Sequence, residues 1–208
     1  MAEKSAMRRV PQRKRGQERV KKILDATARL IAEHGYESVT TNQIATEAQT
    51  SIGSLYQFFP NKDVILMALS ERYLSELRAI MGEQFRADEQ MTPFEQCDRL
   101  IDTFHDFYMN NPGFKPMFYG SYGLDSLTSA GEEFYQDIVE QFDALFARRF
   151  HLPEDGRIIA VLVLVSIVKT QVTMIDEADE NLRPALLNEL KAVSRAYIKS
   201  LLERHGLG

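Results

Sequence analysis

TTNQIATEAQTSIGSLYQFFPNK, running from Thr40 to Lys62, decides how the rest of the chain is read. It holds two short helical patterns, expected at Thr41–Ala48 and Ile52–Phe58, with only about three residues between them. Thr40 is placed to cap the first, Pro60 ends the second, and Asn61 can cap whatever follows. Two such helices cannot bury themselves alone and need a third wall. Ile44, Ala48, Leu55 and Phe59 fall inward, with Ala45 small enough for close helix contact. The outer face of the second helix is then left with Ser51, Gly53, Ser54, Tyr56 and Gln57, which are short or hydrogen-bonding side chains. A DNA major groove admits a helix of this kind, and bulky outer residues would limit its approach. Gly53 at an exposed helical position costs about 1 kcal/mol relative to alanine. Close passage of a phosphate backbone is the functional reason for a glycine there, and unspecific flexibility is the bland one.

The third wall is the segment upstream. Val20, Ile23, Leu24, Thr27, Leu30 and Ile31 share one face of a helix expected from about Gln17 to His34, with Gly35 as its C-terminal stop. Charge is unevenly divided along the chain. The net charge of −5 splits into +5 over residues 1–62 and −10 over residues 63–208. A basic head on an acidic body points to a polyanionic partner for the head alone.

This stretch resembles the DNA-binding signature of the TetR (tetracycline-repressor, AcrR-like) family. The match is strongest from Ser51 to Lys62, with the basic arm, Gly35-Tyr36 and Thr40-Thr41 in order around it. The resemblance implies a double-stranded DNA operator as partner. It also implies a homodimer, a small-molecule effector, and repression relieved by that effector. Carried over by position, Thr41, Tyr56 and Lys62 match phosphate-contacting residues, and Thr50, Ser51, Ile52 and Gly53 match the leading end of the recognition helix. Gln57 sits where a side chain faces the groove and can pair bidentately with adenine. Phe58 stands where histidine or tyrosine is more usual. Gln49 stands where the family often has glycine; a left-handed backbone there would cost glutamine roughly 1–2 kcal/mol.

Beyond Lys62 the chain continues as helices, giving an all-α fold of about nine and no internal repeat. A long fourth helix, from about Lys62 to Phe85, carries Leu66, Leu69, Tyr73, Leu77 and Ile80 on one face. Thr92-Pro93-Phe94-Glu95 is a capping-box start for a helix ending near Asn110. A short helix or turn-rich piece is expected at 114–127, then helices at about 129–150, 154–175 and 184–204. The expected division is residues 1–62 for the basic arm and helix-turn-helix, and 63–208 for effector binding and dimerisation.

Nine of the chain's aromatics lie between Phe104 and Tyr135, an enrichment that fits either an aromatic core or the wall of an apolar pocket. The candidate ligand-binding residues are Phe104, Phe107, Tyr108, Met117, Phe118, Tyr122, Phe142 and Val165. With Lys115 almost the sole fixed positive charge there, a largely apolar effector is expected. Ile158, Val161, Leu162, Val165, Ile167 and Val168 are apolar nearly all round their helix, and Leu186, Leu187, Leu190, Val193, Tyr197, Ile198 and Leu201 form a second broad stripe. That excess fits a two-fold four-helix dimer interface. The run Ile158–Val165 reads as too short to span a bilayer, so no membrane partner and a cytoplasmic location are expected.

Nothing in the sequence points to catalysis. His34, His105, His151 and His205 form no metal pair at helical spacing, and Cys97 is the lone cysteine. There is no glycine-rich phosphate loop and no nucleophile elbow. The expectation is a protein that is not an enzyme and has no metal and no cofactor. The competing class is a helical protein-interaction module that kept the fold without operator binding; salt-sensitive DNA binding separates the two.

Overall fold

A computed structural model describes residues 14–86, 91–111, 113–114 and 125–207, the side chains of 125–131 and of residue 155 aside. The described residues contain eight α-helices and no strand. They are α1 (Lys14–His34), α2 (Thr41–Glu47), α3 (Ile52–Phe58), α4 (Lys62–Phe85), α5 (Pro93–Asn110), α6 (Asp125–Arg149), α7 (Glu154–Glu177) and α8 (Arg183–Arg204). Most of the segment expected as a ninth helix lies outside the described residues. The described chain forms two compact units. One takes the residues up to Glu76 and those between Asn110 and Glu132; the other takes Leu77–Met109 and the residues from Glu133 onward. The contacts therefore divide within α4, fourteen residues beyond the end of the helix-turn-helix signature.

In the first unit, Ile23, Leu24, Thr27 and Ile31 of α1 are buried against Ile44, Ala45, Ala48, Leu55 and Phe59, the inward set expected from spacing. The helix ends are written into the sequence. Gly35 closes α1 with φ +72° and donates its N–H to the Ile31 carbonyl at 2.9 Å. Thr40 and Gln43 form a reciprocal capping box at the start of α2. Asn61 Oδ1 accepts the Val64 N–H at 2.9 Å and caps α4. Along α4, Leu66, Leu69, Tyr73 and Leu77 are buried as expected. Ile80 is not: it is 40% exposed, and Met81 and Phe85 are inside instead. From Leu69 onward the buried positions step by four residues, so the stripe passes through 81 and leaves 80 facing out.

In the second unit, the start of α5 holds the end of α4. Thr92 and Glu95 cap α5 reciprocally, and buried Gln96 donates its amide to the carbonyls of Gln84 and Phe85 at 3.0 and 3.2 Å. Two ion pairs tie α5 to α8. Arg195 grips both carboxylate oxygens of Asp98, and Lys191 lies 2.5 Å from Asp102. Arg183 closes the α7–α8 corner by donating to the carbonyls of Asp176 and Ala178. Edge-to-face ring contacts link Phe85, Phe142, Phe146, Phe150 and Phe94 into one aromatic core.

The helix α7 requires one correction. The helical segment Gly156–Glu177 is long and apolar enough, by length and composition, to cross a bilayer, which the reading of Ile158–Val165 as too short did not foresee. Only 33% of its apolar window is buried. Ala160, Val161, Leu164, Val165, Val172 and Ile175 are inside. Ile159, Leu162, Val163 and Met174 are exposed, and recur at three- and four-residue spacings with Ser166 and Thr170 along one outward stripe.

Candidate nucleic-acid interface

The helix α3 presents its residues as its spacing demands. Leu55 and Phe58 are buried, and Ser51, Ile52, Gly53, Tyr56 and Gln57 are exposed, Ile52 at 37% and Tyr56 at 39%. No charged side chain lies on α3. A Cβ added at Gly53 would meet nothing within 4 Å, so no contact inside the protein requires glycine there. The space opens outward, where an approaching surface would use it. Phe58, 6% exposed, faces the core and is not available to a groove.

Several of the expected contact residues already have internal work. Ser51 is the N-cap of α3: its hydroxyl accepts the Ser54 N–H at 3.1 Å, which leaves the hydroxyl hydrogen free to donate outward. Thr50 gives its backbone N–H to the Ala45 carbonyl at 2.9 Å, so only its side-chain hydroxyl can donate to a phosphate. Thr41 and Tyr56 are joined, hydroxyl to hydroxyl, at 3.1 Å. That bond ties the start of α2 to the outer face of α3 and places both oxygens where one phosphate could meet them. The family resemblance pointed to each residue but gave no sign of the bond between them. Lys62 is half-buried. Its ammonium donates to the Tyr36 carbonyl at 3.0 Å and lies 4.1 Å from the centre of the Tyr36 ring. One or two of its three N–H donors remain for a phosphate. Tyr36 also donates its phenol to Asp63, so the turn after α1 is fastened to the start of α4. Arg29 of α1 holds Glu47 at the end of α2 at 2.8 Å, another framework contact without a local sequence signal.

The turn between α2 and α3 is left-handed at Gln49, with φ +52°, so the turn keeps the conformation that glycine would favour and the glutamine bears the strain. Its N–H donates to the Thr46 carbonyl at 3.0 Å, and the Thr50 bond to Ala45 completes a paired helix-closing motif.

A family model described as bacterial regulatory proteins, tetR family, matches residues 23–69, and one described as the tetracyclin repressor-like C-terminal domain matches residues 94–198. The chain belongs to the tetR family. This tetR-family chain is 28% identical over 131 residues to the HTH-type transcriptional repressor KstR of Mycobacterium tuberculosis, a match covering 63% of the chain and 58% of that repressor. The match to KstR of Mycolicibacterium smegmatis covers 62% of that protein, so the similarity spans about three fifths of the curated repressors' length. A TetR-family transcriptional regulator from Streptomyces coelicolor superimposes with a TM-score of 0.61 at 26% identity, covering 88% of this chain and 99% of that one. A regulator from Aquifex aeolicus VF5 shares the fold with a TM-score of 0.69 at 16% identity, over 86% of this chain and 98% of that one.

The candidate effector residues are less fully placed. Phe107 and Tyr108 on α5 are buried, Phe104 is half-buried with its ring 6.5 Å from that of Tyr108, and Val165 is buried on α7. Phe142 packs at 4.9 Å against Phe85 within the aromatic core. Met117, Phe118 and Tyr122 lie outside the described residues. Among the described residues, no group of three or more His, Cys, Asp or Glu side chains could hold a metal ion.

Proposed function

We propose that this tetR-family chain is a cytoplasmic, DNA-binding transcriptional repressor. It acts as a homodimer and is released from its operator by a largely apolar small molecule. The observation that carries the reading is the outer face of α3, which is exposed, uncharged and rich in short or hydrogen-bonding side chains, with open space at Gly53. Residues 1–62 meet the DNA and residues 63–208 serve dimerisation and the effector. Thr41, Tyr56 and Lys62 hold phosphates and set the register, as do the side chain of Thr50 and the bare backbone at Gly53. Ser51, Ile52 and Gln57 read base edges. The outward stripe of α7 supports the dimer: apolar side chains at that exposure on a helix already packed on one face call for a second surface. A two-fold pair then sets the recognition helices about 34–36 Å apart for successive major grooves. Phe104, Phe107, Tyr108, Phe142 and Val165, with Met117, Phe118 and Tyr122, are the residues assigned to the effector. Repression is supported by the KstR relatives, which are named as repressors.

The test is selection of genomic DNA fragments by the full chain, followed by affinity measurements across a salt series. Affinity should fall steeply with salt, Tyr56→Ala should weaken every selected fragment, and Gln57→Ala should relax base preference at one position by about 1–3 kcal/mol. Retention of no fragment at low salt would overturn the reading in favour of a protein-interaction module.

A further inference from the structure

The four bases are told apart in a major groove by the kind of side chain each one suits. Guanine offers two acceptors and is most often met by arginine or lysine, while cytosine offers a donor that suits a carboxylate. Adenine pairs with a side-chain amide, and thymine alone presents a methyl group. The helix-turn-helix is sorted sharply on this scale. From Thr40 to Asn61 the one charged side chain is Glu47. It is the last residue of α2, and Arg29 of α1 donates to its carboxylate twice, at 3.0 and 2.8 Å. Neither α2 nor α3 therefore carries a cation for guanine, and the single carboxylate that could meet cytosine is already engaged.

What α3 does expose is an alkyl group and an amide. Ile52 is 37% exposed, a branched apolar side chain on an otherwise polar outer face. Gln57 is exposed and stands one turn beyond Gly53, where an added Cβ would meet nothing within 4 Å, so no side chain at 53 hinders the approach of its amide to a base edge. The other hydroxyls discriminate little: that of Ser51 accepts the Ser54 N–H, and those of Tyr56 and Thr41 are joined to each other. We infer that α3 reads A·T base pairs, with Ile52 packing on the 5-methyl group of a thymine and Gln57 pairing with an adenine. The inference rests on the DNA-binding reading above and adds to it the class of sequence that the operator holds where α3 enters. The groups assigned to phosphates cannot supply this preference, because every sequence has the same backbone.

The experiment selects randomised duplex DNA with the full-length chain. Affinity for the selected duplex is then measured at one fixed salt concentration, with each thymine of one half-site replaced in turn by deoxyuridine. Uracil keeps the base pairing and the backbone charge and lacks only the methyl group. At one thymine the replacement should weaken wild-type binding about fourfold, the worth of one buried methyl. Ile52→Ala should bind that pair of duplexes with affinities within about twofold of each other. Gln57→Arg should select G·C in place of A·T at one position. Far-UV circular dichroism checks both variants, and the wild-type thymine scan carries the test if either does not fold. Wild-type binding that tolerates uracil at every thymine would overturn this inference alone, as would a fourfold loss that persists in folded Ile52→Ala. A wild-type chain that selects no fragment would overturn the DNA-binding reading, and this inference with it.

Discussion

Gln49→Gly should stabilise the helix-turn-helix unit, and the structure sets the size of the effect. Gln49 holds φ +52° while its N–H and that of Thr50 close the end of α2 on the carbonyls of Thr46 and Ala45. A residue with a Cβ pays about 1–2 kcal/mol to stand in that left-handed region. Glycine removes the clash but loosens the unfolded chain, which takes back roughly 0.4–1 kcal/mol. The Gln49 side chain is exposed, so little packing is lost. The net gain is about 0.5–1 kcal/mol. For a chain of this size that is a rise of about 1–4 °C in melting temperature. Differential scanning calorimetry is the appropriate assay, because two compact units can melt in separate transitions and only the one containing α2 and α3 should move. Gln49→Ala is the control: it shortens the side chain but keeps the Cβ, and should change stability by less than about 0.5 kcal/mol. A Gln49→Gly transition no higher than that of Gln49→Ala would refute the claim that backbone strain is stored at this turn.

Two further outcomes test the second unit. Cys97 is 3% exposed, and burial pushes its thiol up to about 12 from an ordinary 9.0. The folded state therefore holds this proton after the unfolded state has lost it, so Cys97 contributes stability at neutral pH that is lost as pH rises from about 9 to about 12. Denaturant melts of wild type and Cys97→Ala should converge over that range, and a difference constant with pH would contradict the assignment. Ile159→Asp, at the most exposed of the α7 apolar positions, should give a monomer by sedimentation with helix content intact; an unchanged dimer would place the interface elsewhere.

What could be read from the sequence was whatever is written locally. Thr40 with Gln43, Thr92 with Glu95, Asn61 before α4 and Gly35 after α1 each declare a helix end within three or four residues. Inward Leu55 and outward Tyr56 follow from helical periodicity alone. The sequence reading missed what depends on residues far apart. Arg195 and Asp98 are 97 positions apart, and nothing near either one announces the pair. Lys62 was legible as a cation at a helix start but not as one half-engaged by the Tyr36 carbonyl and ring. Ile80 was misplaced because a three-residue step was assumed where the core follows four.

The helix α7 shows why composition alone could not decide its surroundings. A segment apolar all round suits a bilayer, a buried core or a self-association face equally well. What stands beside it in the structure bears on the choice. One side of α7 buries Val161, Leu164, Val172 and Ile175, and α7 is fastened at its start by Arg157 to Asp143 of α6 and at its end by Arg183 of α8. Its neighbour α8 carries Lys191, Arg195, Lys199 and Glu203, so α7 could not enter lipid beside α8 without burying those charges. The outward stripe also includes Thr170 and Ser166, small polar residues that a helix–helix seam accommodates, the Ser166 hydroxyl lying 3.4 Å from that of Tyr135 on α6. Under the dimer reading proposed above, the outward stripe of α7 is covered by a second copy of itself. On that account Ile159→Asp should separate the subunits without unfolding them.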